Sequence, residues 1–69
     1  MSIVWILSEG EDFEGDSVVA VYAKQGDAMR ALEAIANIAN SKVRTDGDFS
    51  IVQDEGCPYY TVLRPEVIL

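Results

Sequence analysis

The sequence predicts a small α+β fold: one antiparallel sheet with a single amphipathic helix packed on one face, in the order ββαββ. Three observations carry this. A continuous apolar run opens the chain, an alanine-rich middle repeats its apolar residues at helical spacing, and two β-branched and aromatic runs close it. With 69 residues there is room for one domain, spanning 1–69, and a domain that small buries only about 60% of its unfolded surface. Hydrophobic residues make up 49% of the chain, enough for a modest core.

The first strand is Ile3–Leu7, a β-branched and aromatic run suited to a central strand with both faces covered. It is too short for a membrane span, and no basic segment precedes it as in a signal peptide. Ser17–Ala23 (SVVAVYA) is the second strand, and SEGEDFEGDS between the two is polar enough for a solvated hairpin loop. Gly26-Asp27 then opens the helix, with Asp27 placed to cap its free amides. Ala28, Ala31, Leu32, Ile35, Ile38 and Ala39 recur on the face that packs on the sheet; Arg30, Glu33, Asn37 and Asn40 fall on the other, and Asn40-Ser41 begins the exit.

Phe49–Gln53 and Tyr59–Leu63 form the second pair of strands around the turn Asp54-Glu55-Gly56-Cys57. Pro58 and Pro65 bracket the last strand and remove backbone donors at both ends, which places it at a sheet edge. Trp5, Tyr22, Tyr59 and Tyr60 read as core or sheet-surface residues, and the tail Glu66–Leu69 is apolar enough to cover something.

Charge narrows the function. Twelve acids against five bases give a net charge of −7, which disfavours nucleic acid or an anionic membrane as a direct ligand and favours a basic partner. The bases are Lys24, Arg30, Lys42, Arg44 and Arg64, so neither 1–23 nor 45–63 contains one. If the first strand runs upward, the acidic loop lies at the top, and a helix of roughly 14 residues, about 21 Å long, climbs back to end beside it. Thr45-Asp46-Gly47-Asp48 then shares that top end. Seven carboxylates come together: Glu9, Glu11, Asp12, Glu14, Asp16, Asp46 and Asp48, with Asp54 and Glu55 at the bottom. Like charges ~6 to 8 Å apart repel by roughly 0.5 kcal/mol per pair in water. A surface shaped for solubility alone does equally well with both signs interspersed.

Three functional readings compete with a merely solvated loop. Metal binding has oxygen ligands in Glu9–Asp16 and Asp46-Gly47-Asp48, yet no stretch fits the calcium-loop pattern. Catalysis lacks a His and a Gly-rich phosphate loop, and Cys57, with no evident base, reads as a turn or core residue. The lone cysteine also excludes an internal disulfide and a zinc set, which fits a reducing cytoplasm. The third reading is a decoy: carboxylates held rigidly enter a groove lined with Lys and Arg for nucleic acid, and apolar neighbours supply contact area. Phe13 is such a neighbour, or else an inward anchor of the loop. A single helix covers only one sheet face, so the other needs the Val67-Ile68-Leu69 tail, a second copy or a partner.

In whole-chain character, a tiny, acidic chain without a catalytic set, the protein resembles the anti-CRISPR proteins of phages and other mobile elements, notably small inhibitors of type I surveillance complexes. The resemblance implies a non-enzymatic, cofactor-free DNA mimic in the host-cell cytoplasm. There Glu9, Glu11, Asp12, Glu14, Asp16, Asp46 and Asp48 block the basic nucleic-acid-binding site of a CRISPR effector subunit. Separately, VVAVYAKQGDAMRALEAIAN is similar to the strand-to-helix stretch of many small phage and bacterial ββα domains, which implies fold and not activity. The competing expectation is a small structural or regulatory interaction module, homodimeric in one version, whose acids serve solubility. A calcium-dependent module ranks third.

Overall fold

The computed structural model describes residues 2–69. Its elements run β1 (Ser2–Glu11), β2 (Gly15–Tyr22), α1 (Gln25–Ile38), β3 (Val43–Asp46), β4 (Phe49–Val52) and β5 (Tyr59–Ile68). The five strands form one antiparallel sheet in the order β2-β1-β5-β4-β3. The α+β class therefore holds, but the order is ββαβββ, with a third strand after the helix. That strand is VRTD, in which Val43 is partly buried and Arg44, Thr45 and Asp46 are exposed. Gly47, at φ +62°, begins the two-residue loop that returns the chain from Asp46 to Phe49.

The first strand is twice as long as its apolar run, because β1 pairs with β5 from Ser2↔Ile68 to Glu11↔Tyr59. Backbone pairing on both sides outweighs the polarity of Ser8, Glu9 and Glu11. The hairpin loop accordingly shrinks to Asp12, Phe13 and Glu14, with Asp16 inside β2. One bulge interrupts the β1–β2 ladder: Leu7 faces Ala20 and Ser8 faces Val18, leaving Val19 unpaired.

The last strand is not an edge strand. β5 lies between β1 and β4, and Pro65 is accommodated because the β4 pairing has ended at Ser50↔Leu63 while the β1 side continues. Nor does the Val67-Ile68-Leu69 tail cover anything: Val67 and Ile68 extend β5 alongside Ile3 and Ser2, and all three tail residues are exposed.

The helix starts three residues earlier than its sequence indicates, with the cap at Lys24 and not at Asp27. Lys24 is the N-cap and makes no side-chain capping bond, while Asp27 sits within the first turn and pairs with Arg30 at 2.6 Å. Asp27 still complements the helix dipole there. The C-terminus closes as a Schellman motif: Asn40 takes φ +54°, and the Ser41 amide donates to the Ala36 carbonyl at 2.8 Å. Ala28, Leu32 and Ala36, spaced by four, form the buried stripe, and with Leu7, Val52 and Leu63 they make the core. Ile38, placed on this face by its sequence spacing, is 89% exposed because it falls two residues beyond Ala36 on the helical wheel. Among the described residues no helix is long and apolar enough to cross a membrane.

Candidate functional site

The acidic residues gather at the sheet end where β1 finishes. β1 delivers Glu9 and Glu11, the turn delivers Asp12 and Glu14, and β2 delivers Asp16. Because β4 ascends and β5 descends, the Asp54–Cys57 turn between them meets this same end, adding Asp54 and Glu55. Asp46 and Asp48 do not belong to the group. Leu7, Leu63, Ser50 and Thr45 share one row across the sheet, and Asp46 and the following loop lie below it. The acidic turn is five residues above that row, so the two loops are separated by roughly 20 Å along the strands. The cause is β3: one extra strand after the helix inverts the end at which every later turn falls. Seven carboxylates converge, but Asp54 and Glu55 stand where Asp46 and Asp48 were expected.

Two contacts fix the acidic turn to its neighbour. The Asp12 amide donates to the Pro58 carbonyl at 2.7 Å. The Gln53 side-chain amide donates to both Asp12 carboxylate oxygens at 3.2 Å and to the Cys57 carbonyl at 3.0 Å. Cys57 is a half-buried turn residue, its own amide donating to the Asp54 carbonyl at 3.0 Å. On the face away from the helix, the Tyr60 hydroxyl donates to Asp16 at 3.2 Å. Tyr60 and Asp16 both pair with Gly10, so the bond bridges β1 at its glycine. Partial burial raises the Tyr60 hydroxyl above the usual phenol range, and the Asp16 hydrogen bond and the charges of Asp16 and Asp12 raise it further. A Cβ at Gly10 would strike the Gly15 carbonyl and lie 2.7 Å from the Asp16 Cβ, so only glycine allows this close approach.

The carboxylates divide between faces while sharing the end. Glu9 and Glu11 alternate with Leu7 on the helix side, whereas Asp16 is opposite Gly10 on the other. Beyond the C-terminal end of α1, a cleft of about 560 Å³ is lined by Glu9, Glu11 and Asp54 together with Ile35, Tyr59 and Cys57, and no Lys or Arg lines it. Arg44 lines a second depression with Asp12, Asp54 and Glu55. Among the described residues the one ion pair is Asp27–Arg30 on the helix, so the seven acids carry no paired base.

Phe13 is no inward anchor. It occupies the third position of the Glu11–Glu14 turn, closed by the Glu14 amide on the Glu11 carbonyl at 3.0 Å, with φ +68° and a fully exposed ring. Gly or Asn ordinarily fills a turn position with positive φ. A phenylalanine there accepts strain and presents an aromatic ring to solvent amid carboxylates.

Such a site accepts hydrogen bonds and cations; among the described residues no three His, Cys, Asp or Glu side chains group to hold a metal ion. The signal for Asp54 and Glu55 was present in the sequence as Asp46-Gly47, a hairpin dipeptide flanked by alternating Val43/Thr45 and Phe49/Ile51. No protein-family model, curated protein or solved structure matches the chain.

Proposed function

We propose that the protein is a non-enzymatic inhibitor whose acidic end occupies a basic nucleic-acid-binding surface on another protein, as a DNA mimic on a CRISPR effector complex in the host cytoplasm. One observation carries the reading. Seven carboxylates without a paired base stand at one end of the sheet, three on β1 and β2 and four on two turns bound to each other by Asp12, Gln53 and Pro58. Duplex DNA presents about one negative charge per 1.7 Å of axis, and proteins that bind it supply Lys and Arg in matching grooves.

The neighbours of the acids favour a protein surface over a free cation. The Phe13 ring supplies apolar contact beside Asp12 and Glu14. The cleft at Tyr59 and Ile35 takes the methylene stems of Lys or Arg while Glu9, Glu11 and Asp54 meet their charged heads. Opposite potentials also speed encounter and set selectivity.

The test immobilises the protein, passes host-cell lysate over it at low salt, and elutes first with duplex DNA and then with high salt. Basic nucleic-acid-binding proteins, CRISPR effector subunits among them, should leave with the DNA. Retention indifferent to both DNA and salt contradicts the proposal and leaves the acids a solubility role.

A further inference from the structure

Among the described residues no helix or strand packs on the face of the sheet opposite α1, where Ser8 at the centre is buried by its neighbours and the residues around it are half-buried or exposed. Across it, strand by strand, lie Val18 and Val21 on β2, Val4, Ile6 and Ser8 on β1, Val62 and Arg64 on β5, Phe49 and Ile51 on β4, and Arg44 and Asp46 on β3. Val18 and Val21 are each 57% exposed. The Val67-Ile68-Leu69 tail does not fold over this face, since Val67 and Ile68 extend β5.

We propose that a second copy of this chain covers it, through a two-fold axis that runs across the strands. Three observations choose that occupant. The first is charge: the face carries Asp16, Asp46 and Glu66 against Arg44 and Arg64, close to neutral on a chain of net −7. It can meet itself where the acidic end cannot. The second is pattern. A two-fold axis between the Ser8–Val62–Ile51 row and the Ile6–Arg64–Phe49 row exchanges the two rows. It sets Ile51 over the partner's Phe49, Val18 over the partner's Val21 and Arg44 over the partner's Asp46, each contact occurring twice. The same axis points the two acidic ends in opposite directions. An axis along the strands would stack those ends side by side and place Arg64 on its own copy.

The third is size. Five strands ~4.8 Å apart, each contributing about seven residues at ~3.3 Å, give a face of roughly 500 Å² before side-chain relief is counted. With that relief it approaches the ~600 Å² per partner at which stable interfaces begin. The product is a four-layer dimer, helix outside and sheet packed on sheet, with the aligned geometry of twisted sheets.

Sedimentation equilibrium at tens of micromolar and physiological salt tests this on the full chain. Wild type should sediment at twice the chain mass, and Val62→Lys, and independently Val18→Lys on the edge strand, at the chain mass with unchanged far-UV circular dichroism. Arg44→Asp and Asp46→Arg should each weaken the dimer about tenfold, and the doubly swapped chain should recover it. A wild type that stays monomeric overturns the proposal, as does a dimer that survives both lysines. A swap that fails to recover overturns the stated axis.

Discussion

The Gln53 side-chain amide donates to both carboxylate oxygens of Asp12, 3.2 Å away and 41 residues distant in sequence. It joins the turn after β1 to the turn after β4, and its third contact, to the Cys57 carbonyl at 3.0 Å, leaves the amide no freedom to rotate away. Gln53→Ala should therefore cost about 1 kcal/mol, as for a hydrogen bond at a partly exposed site. Amide hydrogen exchange should quicken at Asp12 and Cys57 while Leu32 and Leu63 keep their protection. Uniform loss of protection would mean that Gln53 supports the whole fold and not the junction of the two turns.

Phe13 separates stability from recognition. Its φ of +68° carries strain that Gly or Asn avoids, so Phe13→Asn should raise the midpoint of thermal unfolding, by a gain of about 1 kcal/mol. The same substitution removes the exposed ring and should weaken lysate capture. A variant that is more stable and captures equally well would deny the ring any part in binding.

Gly10 is held by the approach of β2. Gly10→Ala brings a methyl against the Gly15 carbonyl and 2.8 Å from the Asp16 Cα, and should destabilise by about 1–3 kcal/mol as overpacking does. The check is chemical denaturation of the variant beside wild type.

Tyr60 gives a pH signature. Its folded ionisation is raised, so the unfolded chain loses this proton first as pH climbs. The resulting stability is fully present below about 10, the ordinary tyrosine value, and is lost as pH rises through the Tyr60 value. Ultraviolet titration should show the ionisation of Tyr60 moving to lower pH in Asp16→Asn. A Tyr60 ionisation that does not move in Asp16→Asn would contradict the bridge over Gly10.

Much of this fold was legible in the sequence because local signals and tertiary structure agree. The apolar run Ile3–Leu7, the i, i+4 stripe of Ala28 and Leu32, and the exit at Asn40 each state their element in adjacent residues. What the sequence hid was set by distant partners. Glu9 and Glu11 are strand residues because β2 and β5 pair with them on either side, and Pro65 is tolerated because β4 has ended. The site was half legible for one reason: VRTD is short and mostly polar, so passing over it reversed the end assigned to Asp46 and Asp48 and concealed Asp54 and Glu55.

That reversal supplies a direct test, since two acids can be neutralised at the acidic end or away from it with equal change in net charge. Glu14→Gln with Glu55→Gln alters the acidic end, and Glu33→Gln with Asp48→Asn alters exposed positions on the helix and the opposite loop. Both double variants are captured from the same lysate as wild type and eluted with duplex DNA. The first should lose most of its DNA-eluted partner and the second should retain it. Equal loss in both, or loss in neither, would show that placement of the carboxylates is not what the partner reads.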